Sequence, residues 1–197
     1  MPRKFLEELL VILTLLIGLC EVSKAQVGLK TNLLSDGFFN PNLAVETALA
    51  PKWSFDVSAE LNNWKLSGNR QWRHIIVQPE ARYWLCEAFS GHFFGVHMLG
   101  GIYNISGVGF KASLLGTDFA APIDKRHQGW FVGIGAVYGY SWILSRHWNL
   151  EAEIGLGYAY TQYDVFNCTG CGRKTGSALP HHYVGPTKAA ISIVYVF

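Results

Sequence analysis

The sequence predicts an all-β fold, an antiparallel eight-stranded transmembrane β-barrel of the outer-membrane type. Three observations predict it. Hydrophobic residues make up 50% of the 197 residues and charged residues only 15%, below the roughly 25% of soluble domains. Apolar and polar residues alternate with the period of a β-strand over long stretches. Beyond the amino terminus, no stretch is as apolar as the roughly 20 residues of a membrane helix.

The amino-terminal segment predicts a cleaved signal peptide over residues 1–25. Its parts are a basic start at Arg3 and Lys4, an apolar run over 9–19 and a small-x-small cleavage site at 23–25. Residues 26–197 are then one β-barrel domain, exported to the outer membrane of a Gram-negative bacterium. Lipidation of Cys20 stays open as an alternative, although Leu19 is larger than the residue expected before a lipidated cysteine.

The first four predicted strands are 27–34, 42–50, 53–64 and 74–85. In the third, the odd-numbered residues from Trp53 to Leu61 are apolar and the even-numbered residues from Ser54 to Glu60 are polar. The fourth alternates in the same way, with polar residues such as Glu80 and Arg82 on one face. Strands of about 10 residues fit a tilted membrane crossing better than the about 5 or 6 residues usual in soluble sheets.

The last four predicted strands are 92–106, 129–144, 148–166 and 184–197. Apolar residues from Trp130 to Trp142 alternate with glycine and serine, and those from Trp148 to Tyr160 alternate with asparagine, glutamate and glycine. The inward glycines are expected to make room for large neighbours such as Arg82 or Trp84. Aromatic residues stand at strand ends with aliphatic residues between them, as in a lipid-facing band with interfacial girdles.

Short and long connections alternate between these strands. The short turns are 51–52, 86–91 and 145–147, and the long loops are 35–41, 65–73, 107–128 and 167–183. Bacterial barrels have short periplasmic turns and longer outer loops, so both termini are expected on the periplasmic side. The loop at 107–128 carries apolar residues, which leaves open whether it contacts a partner or packs over the rim.

The eighth strand runs to the last residue of the sequence. Tyr195 and Phe197 end its alternating pattern, and no polar residue follows them. This ending resembles the assembly signal by which the barrel assembly machinery recognises its clients. That machinery and outer-membrane lipid are therefore the first expected partners.

Charged residues on the inward faces predict a polar network inside the barrel. Its predicted members are Lys30, Glu46, Asp56, Glu60, Glu80, Arg82, Glu151, Glu153 and Lys188, with His74 and His97 as candidates to join. An eight-stranded barrel is just wide enough to be filled by side chains, and buried charges need partners. A plugged interior is predicted in preference to a narrow channel, which stays an alternative.

Cys168 and Cys171 lie close together in the last long loop, ahead of His181. An oxidising compartment favours a disulfide between the two cysteines. A zinc site formed by Cys168, Cys171 and His181 is the weaker alternative, and otherwise no metal or cofactor is predicted.

Catalysis and nucleic-acid binding are not expected. Enzymes of this architecture that modify lipid A place a serine and a histidine at the outer rim, whereas His127, His181 and His182 lie in predicted loops without a positioned serine. Such an enzyme is the alternative function. Glycine pairs in the sixth and seventh strands do not precede a helix, so they are no nucleotide fingerprint. The net charge of +2 without a basic block argues against nucleic acid.

Four segments resemble one known family: VGLKTNLL at 27–34, PNLAVE at 41–46, WSFDV at 53–57 and QPEARYW at 78–84. They resemble the DUF3575-type family, small exported proteins of unknown function common in Bacteroidales. The resemblance implies an outer-membrane barrel with a structural or protein-interaction role at the cell surface, linked to fimbrial assembly or anchoring. It implies fimbrial or other envelope proteins as partners and carries over no catalytic residues. Pro79 matches the family motif and is expected to mark a bulge.

Overall fold

The structure, a computed structural model, describes residues 26–65, 70–107, 113–114, 117–118, 125–167 and 172–197. The predicted signal peptide lies outside the described residues, as do both cysteines of the last loop and most of the longest loop. Within the described ranges, no helix is long and apolar enough to cross a membrane.

The described chain forms ten strands and one short helix. They are β1 Val27–Asn32, α1 Leu33–Gly37, β2 Asn42–Ala50, β3 Trp53–Lys65, β4 Gln71–Trp84, β5 Gly91–Ser106, β6 Ser113–Leu114, β7 Thr117–Asp118, β8 Arg126–Ile143, β9 Trp148–Phe166 and β10 Lys174–Val196. β6 and β7 form a small separate hairpin, whereas the other eight strands pair antiparallel in the order β1-β10-β9-β8-β5-β4-β3-β2 and close into a ring. The predicted all-β, antiparallel, eight-stranded sheet is confirmed.

The first and last strands close the ring. Gly28 pairs with Val196 and Asn32 pairs with Ser192. The backbone N–H of Phe197 donates a hydrogen bond of 2.9 Å to the carbonyl of Val27. Each of the eight strands therefore has a partner on both sides, which removes the unpaired edges of an open sheet.

The ring has two different ends. The turn end holds the connections β2–β3, β4–β5 and β8–β9 together with both termini of the ring. The loop end holds α1 and the connections that follow β3, β5 and β9. The predicted alternation of short and long connections fails at one place. The β3–β4 connection, predicted as the long loop 65–73, spans only 66–70 and is shorter than the β4–β5 turn at 85–90, because β3 and β4 extend further towards the loop end than the sequence pattern indicated.

Charged side chains lie in the interior of the ring and large apolar side chains on its outer surface, which is the reverse of the distribution usual in a soluble protein. Inward-facing charged residues such as Glu46, Arg82 and Glu151 are at most 1% exposed. Large aliphatic and aromatic side chains on the outward faces are exposed instead. This apolar belt comprises Leu29, Leu43, Val45, Phe55, Val57, Leu61, Ile75, Val77, Val96, Met98, Ile102, Val132, Ile134, Ile154, Leu156 and Ile191.

Several predicted element boundaries are wrong. β10 begins at Lys174 and not at 184, because its first part continues to pair with β9 through two register shifts, between Lys174 and Gly176 and between Gly176 and Leu179. These irregularities interrupt the alternation from which the strand was predicted. Residues 33–34, predicted as the end of the first strand, begin α1 instead, because the Asn32 side chain caps the helix by accepting from the Leu34 N–H at 3.1 Å.

The bulge expected at Pro79 is also wrong. Pro79 pairs with Val57 of β3. On the other side, the pairs Val77 with Gly100 and Glu80 with His97 keep one register past the proline. The strand therefore accommodates the missing N–H without inserting an extra residue.

An aromatic plug fills the turn end of the ring. Trp84, Phe89 and Phe93 are each at most 4% exposed, and the Trp84 ring centroid lies 4.7 Å from that of Phe93 and 6.1 Å from that of Phe89. Phe89 comes from the β4–β5 turn, and its carbonyl accepts hydrogen bonds from Ser141 at 3.1 Å and Asn149 at 2.7 Å. The β4–β5 turn thus folds into the ring and closes its interior at the turn end.

We expect Phe89→Ala to lower the free energy of unfolding by about 3–5 kcal/mol, since a buried phenylalanine is removed from a packed site. Phe89 has a φ of 66°, a conformation that alanine also disfavours. Phe89→Gly removes the same side chain but tolerates this backbone, so it is expected to be less destabilising than Phe89→Ala. Urea midpoints of the refolded protein measure both. Equal midpoints for wild type and Phe89→Ala would contradict the plug.

Candidate functional site

The interior of the ring holds a buried ion-pair network centred on Arg82. The Arg82 guanidinium donates to Glu46 at 3.0 Å, to Glu151 at 2.7 Å and to Glu153 at 2.7 Å, and it also pairs with Glu80. These carboxylates come from β2, β4 and β9, so a single side chain connects distant parts of the wall. The planar guanidinium suits such multiple contacts better than an ammonium would.

Two lysines complete the network. Lys30 pairs with Glu46, with Glu151 at 3.0 Å and with Asp56 at 3.5 Å. Lys188 pairs with Glu80 at 2.7 Å and with Glu153 at 3.1 Å. The structure therefore brings together eight of the nine predicted residues, here called the ion-pair network: Lys30, Glu46, Asp56, Glu80, Arg82, Glu151, Glu153 and Lys188.

Negative charge exceeds positive charge within the ion-pair network. Its three cations face five carboxylates, and every side chain in it is at most 8% exposed. Asp56 is the least compensated carboxylate, because its Oδ2 has no hydrogen bond and its ammonium partner is 3.5 Å away. Each cation is therefore shared among several carboxylates. Replacing it by a neutral residue is expected to lower the free energy of unfolding.

Glu60, the ninth predicted residue, belongs to a separate cluster nearer the loop end. Its carboxylate accepts from Ser35 at 2.6 Å and from Asn40 at 3.0 Å, and lies 2.8 Å from His74 Nε2. Asn62 donates to Asn40. We call Ser35, Asn40, Glu60, Asn62 and His74 the outer polar layer. Glu60 lies two inward positions beyond Asp56 on β3 and pairs with His74, so among the described residues the predicted members form two clusters and not one network.

Two cavities lie beside these clusters. One of about 220 Å³ separates the ion-pair network from the outer polar layer, with Asp56, Arg82 and Lys188 on one side and Ser35 and Glu60 on the other. A larger one of about 970 Å³ occupies the mouth of the ring at the loop end, and its inward side chains include Asn62, His74, Tyr103 and Tyr163. The described interior is therefore filled at the turn end and open at the loop end.

The inward glycines make room for bulky neighbours, but the neighbours differ from those expected. A Cβ at Gly139 would collide with the Phe93 ring, and a Cβ at Gly135 or Gly155 would lie 2.7 or 3.0 Å from His97. His97 itself is fully buried, and its Nε2 lies 3.0 Å from the Thr187 hydroxyl. The glycines thus serve Phe93 and His97 rather than Arg82 or Trp84.

Outward side chains change from apolar to polar towards the loop end. Five residues paired in register across neighbouring strands form a polar row: Asn63, Arg73, Asn104, Gln128 and Asp164. Lys174 pairs with Asp164 at 2.8 Å, and its hydrogen bond lowers the pKa of the Asp164 carboxyl. The apolar belt ends one outward position earlier on β3, β4 and β5, at Leu61, Ile75 and Ile102.

Of the remaining predicted site residues, His181, Tyr195 and Phe197 are within the part of the chain that the structure describes. Cys168 and Cys171 are outside the described residues, and His181 lies in β10 paired with Thr161. Among the described residues there is no group of three or more His, Cys, Asp or Glu side chains that could hold a metal ion. Tyr195 packs against Trp148 and Phe197 at the turn end, with centroid distances of 5.0 and 4.9 Å.

Sequence reasoning missed several interior residues. Ser54 joins the ion-pair network to the plug, because it donates to Glu46 and accepts from Trp84 Nε1 at 2.8 Å. Phe89 and Asn40 come from connections, where alternation carries no information. The polar face of the third predicted strand could have identified Ser54, but no sequence pattern pointed to Phe89 or Asn40.

Comparison with known proteins agrees with the resemblance seen in the first half of the chain. The family model described as "Protein of unknown function (DUF3575)" matches residues 10–197. No curated protein and no solved structure gives a significant match. The matched residues include all ten described strands, and the chain belongs to this family of unknown function.

Proposed function

We propose that this chain is a transmembrane β-barrel of the outer membrane of a Gram-negative bacterium, with a structural or protein-interaction role at the cell surface. The observation that carries the proposal is the inverted distribution of polarity. Charged side chains are buried inside the ring, and the apolar belt surrounds it. In water this distribution would expose a contiguous apolar surface, whereas in a bilayer the same surface contacts acyl chains.

The dimensions of the apolar belt support a membrane crossing. On β3 the outward residues from Trp53 to Leu61 are apolar, and Asn63 follows. A tilted strand needs about 9–11 residues to cross the hydrocarbon core. A closed ring also meets the requirement that every backbone polar group facing lipid is paired within the protein.

Aromatic pairs at both limits of the belt support the same proposal. At the turn end Trp53 lies 5.1 Å from Tyr83, and Tyr140 lies 4.7 Å from Trp142. Towards the loop end Trp130 lies 5.8 Å from Tyr160. Tryptophan and tyrosine prefer the headgroup region, where the ring is in an apolar layer and its polar atom can reach water.

The filled interior supports a role other than conduction. The aromatic plug and the ion-pair network leave the loop end as the part of the molecule most accessible to another envelope protein. Fimbrial proteins are the partners implied by the family resemblance, and we propose them as the class to test. Crosslinking from the outer loops in intact cells, followed by identification of the captured chains, is the direct test of a partner.

The membrane proposal is tested by electrophoretic mobility. Outer membranes are washed with urea, and the protein is run on a denaturing gel with and without boiling. We expect the protein to stay in the membrane and the unboiled band to migrate faster, because a closed ring with a buried charged interior resists the detergent. Release by urea without a mobility shift would instead show a peripheral protein and would overturn the proposal.

A further inference from the structure

Residues 33–39, here called the rim segment, carry a second apolar surface. This surface takes no part in the strand pairing that closes the ring. Phe38 is 69% exposed and Phe39 is 74% exposed, and Leu33 and Leu34 are each 41% exposed. α1 has no buried residue. Four large apolar side chains are thus presented outward by seven consecutive residues at the loop end.

The polar residues of the rim segment all bond towards the ring. Ser35 donates to Glu60 at 2.6 Å, and Asp36 accepts from Thr31 at 2.7 Å and from Asn42 at 2.9 Å. The segment is therefore amphipathic, with its polar side fixed to the ring and its apolar side uncovered. Amphipathic segments of this kind lie at membrane interfaces.

The position of the rim segment matches the outer limit of the apolar belt. The carbonyl of Pro41, two residues beyond it, accepts from the Leu61 N–H at 2.9 Å, and Leu61 is the last apolar outward residue of β3. Asn63 of the polar row is the next outward residue. The segment therefore lies at the height where acyl chains meet headgroups, and its surface continues that of the belt.

Trp64 fixes the turn that presents Phe39. Its indole Nε1–H donates to the Phe39 carbonyl at 2.7 Å, and the Trp64 side chain is 48% exposed. The Phe39 N–H donates to the Asp36 carbonyl at 2.9 Å. These bonds hold Phe39 at a φ of 58°, which is unusual for a bulky residue, and a half-exposed indole with a bonded N–H is typical of the interfacial layer.

We infer that the rim segment is a lipid-binding foot, with Leu33, Leu34, Phe38 and Phe39 embedded in the outer leaflet beside the ring. This inference rests on the proposed membrane location. It adds a contact that the strands do not make and assigns the apolar side chains of 33–39 to lipid and not to a protein partner. Its continuity with the apolar belt near Leu61 and its contact with the half-exposed indole of Trp64 favour lipid.

Depth-dependent quenching tests the inference. All four cysteines, Cys20, Cys86, Cys168 and Cys171, are replaced by serine, and single cysteines are introduced in separate proteins as Phe39→Cys, Ile134→Cys and Lys174→Cys. Each is labelled with an environment-sensitive NBD fluorophore and refolded into phosphatidylcholine vesicles, with or without lipids brominated near the headgroup or deep in the acyl chain. The gel mobility shift establishes that each labelled protein is folded, and Phe38→Cys replaces Phe39→Cys if the latter fails.

We expect the label at 39 to be quenched most by shallow bromines, the label at 134 in the belt by deep bromines, and the label at 174 by neither. Quenching at 134 but not at 39 or 38 would overturn the foot, would leave the membrane barrel standing and would assign the surface to a protein partner. If neither 134 nor 39 is quenched, the membrane location itself fails and the foot fails with it.

Discussion

Arg82→Met is expected to abolish or severely lower the stability of the closed ring. Arg82 is 1% exposed and contacts Glu46, Glu80, Glu151 and Glu153. Removing one partner of a buried ion pair costs about 3–5 kcal/mol, a large share of the about 5–15 kcal/mol by which a whole domain is stable. Methionine fills a similar space but leaves four carboxylates without their shared cation.

The measurement is the urea midpoint of the refolded protein, followed by tryptophan fluorescence and by the gel mobility shift. Arg146→Met is the matched control, because Arg146 is an exposed residue in the β8–β9 turn. The free energy of unfolding of Arg146→Met should stay within about 0.5 kcal/mol of the wild-type value. A wild-type midpoint for Arg82→Met would mean that the ion-pair network does not hold the ring together.

Lys30→Met is expected to cost about 3–5 kcal/mol as well, and its cost should depend on Asp56. Without Lys30, the five carboxylates of the network share two cations, so the negative surplus grows. Asp56→Asn alone is expected to be near neutral, because it reduces that surplus and breaks only one 3.5 Å pair. The double variant Lys30→Met/Asp56→Asn should recover part of the loss, since the two residues belong to one network.

Urea midpoints of the four proteins in this cycle give the coupling free energy between Lys30 and Asp56. Lys174→Met is the control for removal of a lysine, because its pair with Asp164 is solvent-exposed, with the two side chains 43% and 33% exposed. Exposed pairs contribute about 0–1 kcal/mol. Strictly additive effects of Lys30→Met and Asp56→Asn would show that charge surplus does not govern the stability of the interior.

The wall of the ring was predictable from the sequence because each strand is in contact with two different environments. From Trp53 to Leu61 the side chains lie on the exposed outer surface and in the polar interior in turn, so alternation identified both the strand and its faces. Alternation did not identify the start of β10, because register shifts near Gly176 interrupt the regular succession of inward and outward side chains. Pro79 was misread because a missing N–H alone does not specify a bulge.

The contacts inside the ring were less predictable than its faces. Alternation places Glu60 and Glu80 on the same inward face, but the register and stagger of neighbouring strands decide which inward residues meet. Glu60 consequently joins Ser35 and Asn40 from the α1 connection. Phe89 fills the turn end from a connection of its own, and a connection has no period from which its path could be inferred.

The pairing of β1 with β10 sets a condition on how this protein is made. Val27 accepts a hydrogen bond from Phe197, and Gly28 pairs with Val196 of β10, so β10 must be synthesised before the ring can close. Until then β1 and β9 each have an unpaired edge and the apolar belt is uncovered, and both conditions promote aggregation. Ring closure is therefore the last pairing step, and aggregation competes with it for as long as β10 is missing.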